Sequence, residues 1–199
     1  MTQLKIWRTH SSNQIPKKQT AGSACFDLQF QGHGKGTYKG YTRMNKPFER
    51  PMNHQVVVQP GDRIMVPTGL ILDIPEGHSV RVHARSGMSL KQGLVLANAE
   101  GVIDSDYVEE LMVLVHNISD NALTIKTGDR IAQAELIKDA EYEVIESAVR
   151  PGIKTSRVGG MGSTGVESVA DIIKITVAEP PKTPLTEQKR SRGRPKKNA

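Results

Sequence analysis

The stretch VVVQPGDRIMVPTGLILDIPEGHSVRVHA, residues 56–84, decides the fold. Val56–Val58 is a β-branched run that stops at Pro60-Gly61-Asp62, a turn sequence in which proline presets one φ and glycine admits a positive one. From Arg63 to Ile74 apolar residues recur at Ile64, Val66, Leu70, Leu72 and Ile74, with Pro67 and Gly69 breaking the pattern. Ser79-Val-Arg-Val-His-Ala alternates again. The same grammar continues downstream. Leu111–Val115 is an unbroken apolar run of strand length, as expected of a strand buried on both faces. Ser119-Asp120-Asn121 turns into the alternating Leu123–Lys126, and Thr127-Gly128-Asp129 turns into a strand over Ile131–Ile137. Only Ser86–Lys91 reads as helix, a turn or two long. The expectation is an all-β domain of about ten short strands, closed as a jelly roll or barrel.

Composition agrees. The chain has 199 residues, 37% of them hydrophobic, with 18 Gly and 11 Pro, a turn-rich content that suits short strands. No apolar run approaches the roughly 20 residues needed to span a bilayer, and the N-terminus lacks a signal-like apolar segment. The expectation is no membrane association and a cytoplasmic location, or the host cytoplasm if the gene is viral. Cys25 is the single cysteine, which excludes a disulfide framework and any multi-cysteine zinc site. His33, His54, His78, His83 and His116 show no metal-ligand spacing.

Charge is uneven. Residues 180–199 carry seven lysines and arginines against Glu187 alone, which equals the whole formal excess of +6. This tail, 179–199, is Pro- and Lys/Arg-rich and expected to be disordered. Within it, Arg192-Gly193-Arg194-Pro195 is similar to an AT-hook core, an extended segment suited to the narrow minor groove of A·T-rich duplex DNA. The competing reading is a solvated basic tail with nonspecific attraction to phosphate. Residues 31–55 hold five Lys or Arg against one Glu, without an apolar period, and read as a basic loop insertion. Residues 166–178 mix helical and strand spacing and are left open.

The chemistry concentrates in Gly93-Leu-Val-Leu-Ala-Asn-Ala-Glu-Gly-Val-Ile-Asp-Ser-Asp-Tyr107. Two β-rich runs flank Ala99-Glu100-Gly101, so the segment is expected to fold back as a β-hairpin around a flat ring. Asn98 can then read the ring's polar edge, while Asp104 and Tyr107 lie on the returning strand. A carboxylate such as Asp104 beside a phosphate ester can activate water as general base. Upstream, Arg85-Ser86-Gly87 opens the short helix and supplies a guanidinium, a hydroxyl and backbone N–H groups for phosphate oxygens. Downstream, the glycines around Met161 let backbone wrap a polyphosphate, with Ser163 and Thr164 as hydroxyl donors.

These residues fall into five ordered motifs: Ala24–Leu28, Arg85–Met88, Asn98–Tyr107, Gly128–Gln133 and Gly159–Gly165. In all five the chain resembles the trimeric, all-β dUTP diphosphatases (dUTPases), over roughly residues 20–165. The resemblance implies a distorted jelly roll, hydrolysis of dUTP to dUMP and pyrophosphate, Mg²⁺ as cofactor, and a homotrimer whose sites are shared between subunits. By position, Asp104 matches the general base that activates the water attacking the α-phosphorus. Tyr107 matches the residue under the deoxyribose that leaves no room for a 2′-hydroxyl. Asn98, with the backbone of Gly101 and Ile103, matches the uracil reader. Arg85, Ser86, Gly87 and Gln133 match the phosphate contacts, and Asp27 matches an acid tied indirectly to the Mg²⁺ region, the ion itself being held by the triphosphate. Arg157, Met161, Gly162, Ser163 and Thr164 fall in the matching C-terminal lid.

The chain departs from the family pattern at four places. Cys25 and Glu109 stand where glycine is usual, and Met161 where a phenylalanine stacks on uracil. The lid arginine is displaced by one residue, to Arg157. Two other functions fit parts of the pattern: a dCTP deaminase of the same fold, and a nucleotide-binding regulator acting through its basic tail. The Ile103-Asp-Ser-Asp-Tyr107 sequence favours the diphosphatase over the deaminase.

Overall fold

A computed structural model describes residues 2–33 and 36–155. The expected lid residues Arg157, Met161, Gly162, Ser163 and Thr164, the 166–178 extension and the basic tail lie outside them. The chain divides into two units, 1–144 and 145–199. In the second, residues 145–155 form neither helix nor strand.

In the first unit the described residues form β1 (Lys5–Arg8), β2 (Phe26–Gln29), β3 (Thr37–Tyr41), β4 (Pro47–Pro51), β5 (Gln55–Val58) and β6 (Arg63–Asp73). There follow β7 (His78–His83), α1 (Ser86–Gln92), β8 (Leu94–Leu96), β9 (Gly101–Ile103), β10 (Glu110–Asn117), β11 (Leu123–Lys126) and β12 (Arg130–Lys138). Every strand pair among them is antiparallel. A six-stranded sheet runs β4-β3-β6-β10-β8, with β1 also on β6; a four-stranded sheet runs β2-β12-β7-β9; β11 and β5 form a third. The all-β expectation holds, including the single short helix.

The core lies where the inner faces of these sheets meet. Ile64, Val66, Leu70 and Leu72 of β6 and Leu111, Val113 and Val115 of β10 meet Leu28, Val80, Val82, Ala132 and Ala134 of the four-stranded sheet. Val56, Val58 and Ile125 close it from the third sheet. The expected break in β6 is a bulge inside one long strand. Gly69 takes φ +69°, its N–H donates to Glu110 Oε1 at 2.7 Å, and the β6–β10 register shifts between Glu110 and Met112. The β10 expectation needs correction. Within that run Leu111, Val113 and Val115 are buried, while Leu114 on the other face is 37% exposed, because no second layer among the described residues covers that face.

The 31–55 loop expectation also needs correction, since β3 and β4 pair from Thr37–Pro51 to Tyr41–Pro47 as a hairpin. Its inward period is carried by Tyr38 and by Gly40, which has no side chain to mark it. A Cβ at Gly40 would lie 2.7 Å from Ile64 Cγ2 and 2.8 Å from Phe48 Cζ, so only glycine lets β3 dock on β6 this closely. The Tyr38 hydroxyl donates to the Val57 carbonyl at 3.1 Å and accepts from the Val57 N–H at 3.3 Å. Arg50 stacks 4.1 Å above the Phe48 ring. These contacts offset the ordering entropy that composition alone suggested could not be recovered.

The four-stranded sheet positions the polar chemistry. Its inner face buries Leu28, Val80, Val82, Ala132 and Ala134; its outer face carries Asp27, Arg81, His83, Gln133 and Glu135, all half-buried. Residues paired across a ladder share a face, and Gln133 pairs with Asp27 on one side and His83 on the other.

Candidate active site

The 93–107 segment does not form the expected hairpin. β8 pairs with β10 and β9 pairs with β7, so the turn at 97–100 carries the chain from one sheet to another. Its Ala-Asn-Ala-Glu sequence has no two-residue Asn-Gly or Gly-X turn to lock a tight hairpin. Ala99 instead takes φ +62°, and the Glu100 N–H donates to the Asn98 carbonyl at 2.7 Å. The residues matched to the nucleoside side nevertheless converge. Asn98, Gly101, Ile103, Asp104 and Tyr107 all line one open cleft of about 420 Å³. Gly101 permits a close approach there, because a Cβ would stand 3.0 Å from Val82 Cβ.

Asp104 and Tyr107 sit just beyond β9 rather than on a returning strand, since β9 ends at Ile103. The Tyr107 N–H donates to the Asp104 carbonyl at 3.2 Å, and the Tyr107 hydroxyl donates to the Glu110 carbonyl at 3.0 Å. The ring is thus tethered at both ends of the side chain. The Asp104 carboxylate is exposed and makes no hydrogen bond or ion pair among the described residues. It is available to a water.

The phosphate-side residues gather elsewhere. Arg85 Nε donates to Asp27 Oδ1 at 2.9 Å, and Arg130 Nη1 donates to Asp27 Oδ2 at 3.1 Å. Arg85 Nη1 also donates to the Arg130 carbonyl at 2.9 Å, and Gln133 Nε2 donates to the Ala84 carbonyl at 3.0 Å. Arg85 and Arg130 line a second cleft of about 330 Å³, beside Gly128 and Asp129. Ser86 and Gly87 are exposed in the first turn of α1, which has neither a capping side chain nor an acidic residue. Two guanidiniums and uncapped N–H groups suit an anion.

Asp27 does not fit a direct Mg²⁺ ligand, because both its oxygens already accept a guanidinium. It is a clamp for Arg85 and Arg130. Arg130 lies within the Gly128–Gln133 motif, and its place on β12 opposite β2 is what brings it to Asp27. A further groove, about 730 Å³, is lined mainly by β3, β4 and β6 and is apart from this chemistry, though it shares Met65 and Leu114 with the first cleft.

One further group escaped the sequence altogether. Cys25, His83 and Glu135 bring their ligating atoms within 4.8 Å of one another. His83 Nε2 lies 3.2 Å from Glu135 Oε1, and His83 Nδ1 lies 3.5 Å from Glu100 Oε1. Burial, and next the charge of Glu135, push the Cys25 thiol above its ordinary pKa. No motif spacing links these residues, which come from different strands.

The dUTPase family model matches residues 51–165. A deoxyuridine 5′-triphosphate nucleotidohydrolase of Caulobacter vibrioides is 36% identical over 164 residues, covering 82% of this chain and 93% of its own length. The chain belongs to the dUTPase family. Among solved structures, the Staphylococcus bacteriophage 80alpha dUTPase with dUpNHpp matches with a TM-score of 0.65 at 20% identity, covering 83% of this chain and 100% of that one. A mutant dUTPase of phage phi11 of S. aureus, described with a structural Mg(II) ion, matches with a TM-score of 0.59 at 18% identity over 76% and 100% of the two chains. These likenesses bear out the jelly-roll-type fold. The family match begins at residue 51, so β3 and most of β4 precede it.

Proposed function

We propose that the chain hydrolyses dUTP to dUMP and pyrophosphate, keeping uracil out of DNA and supplying dUMP. The observation that carries this reading is the convergence of Asn98, Gly101, Ile103, Asp104 and Tyr107 on one cleft, with the Asp104 carboxylate unpartnered there. Asp104 takes a proton from water as the water oxygen bonds to the α-phosphorus. The bond from that phosphorus to its bridging oxygen breaks, and pyrophosphate departs with the electron pair. Asn98 and the neighbouring backbone read uracil, and the tethered Tyr107 ring excludes a 2′-hydroxyl. Arg85, Ser86, Gly87 and Gln133 hold phosphate oxygens. Mg²⁺ travels on the triphosphate, since Asp27 is engaged by two arginines. The phi11 neighbour supports a divalent ion in this fold only in general terms.

Asn98, Asp104 and Tyr107 line one cleft and Arg85 another, an arrangement that suits a site shared between subunits. A homotrimer joins the base side of one subunit to the phosphate side of another. The exposed apolar surface of Met65 (39%) and Leu114 (37%) on the six-stranded sheet supports such burial. Arg157 and the 159–165 segment lie outside the described residues; the family resemblance alone assigns them to the lid. Among the described residues no helix is long and apolar enough to cross a membrane.

Pyrophosphate release from dUTP, dCTP, UTP and dTTP with Mg²⁺ tests the reading. Release is expected from dUTP alone; deamination of dCTP would overturn it. Asp104→Asn is expected to keep nucleotide binding and lower kcat by about 10²- to 10⁴-fold. Near-normal turnover would remove Asp104 from the role.

A further inference from the structure

We propose that Cys25, His83 and Glu135 form a zinc-class metal site on the outer face of the four-stranded sheet, with water as fourth ligand. The three side chains supply sulfur, nitrogen and oxygen from atoms mutually within 4.8 Å. Zn²⁺ bonds of about 2.0–2.3 Å set tetrahedral edges of about 3.4–3.6 Å between such atoms. The His83–Glu135 edge is already 3.2 Å, and the longest edge, within 4.8 Å, needs to close by about 1.2–1.4 Å at most.

The backbone fixes the placement. Ladder pairs Gln133–His83, Glu135–Arg81 and Ala134–Phe26 set β12 between β7 and β2, and Cys25 directly precedes β2. Three ligands therefore come from three adjacent positions of a packed sheet, all half-buried. The surroundings are arranged as around a metal-bound histidine. Glu100 lies 3.5 Å from His83 Nδ1 and Glu135 lies 3.2 Å from Nε2, so the tautomer with its proton toward Glu100 leaves the Nε2 lone pair on the Glu135 side. Glu100 is itself held by Arg81 at 3.7 Å. An ion pair between His83 and Glu135 alone would explain two of the groups but not the thiol placed against them.

The donor set chooses the ion. One thiolate, one imidazole and one carboxylate favour Zn²⁺ over Mg²⁺ or Ca²⁺, which take oxygen ligands. This site is therefore separate from the Mg²⁺ carried by a triphosphate. A bound ion would tie β2, β7 and β12 together and, through Glu100, anchor the 97–100 turn that presents Asn98.

The test uses the full chain, reduced and stripped of metal with a chelator, then titrated with Zn²⁺ alone against a chromophoric competitor. One Zn²⁺ per chain is expected, with a rise in melting temperature, as any ligand of the folded state produces. Co²⁺ in its place should show thiolate charge-transfer absorption. Cys25→Ser and Glu135→Gln should each weaken Zn²⁺ binding at least ~10-fold and remove the thermal shift, whereas His10→Gln, altering a histidine stacked on His33 at the surface, should do neither. Because Cys25 is the only thiol, its alkylation by a maleimide reports on the wild-type chain directly, even if a variant misfolds. Zn²⁺ should slow that alkylation. Absence of zinc binding, binding undiminished in Cys25→Ser, or alkylation at the same rate with and without Zn²⁺ would each overturn the proposal.

Discussion

Replacing Asp27 by Asn separates two roles for this residue, an arginine clamp and a metal ligand. The carboxylate is 13% exposed and meets Arg85, 25% exposed, at 2.9 Å and Arg130, 46% exposed, at 3.1 Å. Sheltered hydrogen bonds between charged groups contribute about 1.5–3 kcal/mol, and solvated ones about 0.2–1 kcal/mol. Asparagine keeps one carbonyl oxygen, so one guanidinium loses its acceptor and both lose the countercharge. The cost to Arg85 placement is about 1.5–3 kcal/mol, or roughly a 10- to 100-fold loss in kcat/KM. If Arg85 binds phosphate equally in the ground and transition states, the loss appears in KM and kcat is spared. Pyrophosphate release by Asp27→Asn, measured over a range of dUTP at several Mg²⁺ concentrations, reads both constants. The clamp reasoning requires a raised KM and an unchanged Mg²⁺ concentration at half-maximal rate. Recovery of wild-type kinetics at excess Mg²⁺ would refute it and return Asp27 to the metal. An unchanged KM would show that the clamp does not matter for substrate.

The shared-site reading predicts complementation: mixing inactive Asp104→Asn and Arg85→Ala chains and allowing exchange should restore activity to about a quarter of wild-type sites, and no recovery would place both residues in one subunit's site. Tyr38→Phe should cost about 1–3 kcal/mol in urea unfolding, because the Val57 N–H and carbonyl lose the hydroxyl that serves both; a change under about 0.5 kcal/mol would show that water replaces it. Deleting residues 180–199 removes the entire formal excess of +6 and should leave kcat and KM for dUTP unchanged while reducing affinity for duplex DNA. Undiminished DNA binding by the truncated chain would rule out the tail.

How much could be read in advance depended on whether a signal was local. The turns at Pro60-Gly61-Asp62 and Thr127-Gly128-Asp129 were legible because proline and glycine act on their own dihedrals. Strand partners were not. The runs on either side of 97–100 look like the arms of a hairpin, yet each finds a partner in a different sheet, a choice set by distant residues of β7 and β10. The β3–β4 hairpin was hidden because its inward positions include Gly40, whose contribution is the side chain it lacks. In β10, an apolar run suggested two buried faces; the face bearing Leu114 keeps that apolar character but is left uncovered by the described residues. Motif order singled out Arg85, Asn98, Asp104, Tyr107 and Gln133, but only the register of β2 on β12 shows Asp27 held by two arginines.

The same register accounts for how the anion cluster and the thiol cluster can adjoin without competing for groups. Side chains two residues apart on a strand point the same way and stand about 7 Å from each other. Gln133 and Glu135 therefore share the outer face of β12, while Ala132 and Ala134 turn into the core. Around Gln133 stand Asp27 and the arginines it holds. His83 also pairs with Gln133, and its ring reaches diagonally to Glu135, one step along, where Cys25 stands. That spacing is too long for Asp27 to reach an ion held by Cys25, and its oxygens are already taken by Arg85 and Arg130. It is short enough for the clusters to sense each other's charge, as the upward push of Asp27 on the Cys25 thiol, after burial and Glu135, already shows. Small alanines on the inner side let the sheet pack tightly beneath Gln133 and Glu135, the β12 member of each cluster. The outer face thus carries two polar centres on neighbouring steps of one ladder, one with spare positive charge for phosphate and the other with a sulfur, a nitrogen and an oxygen for a metal.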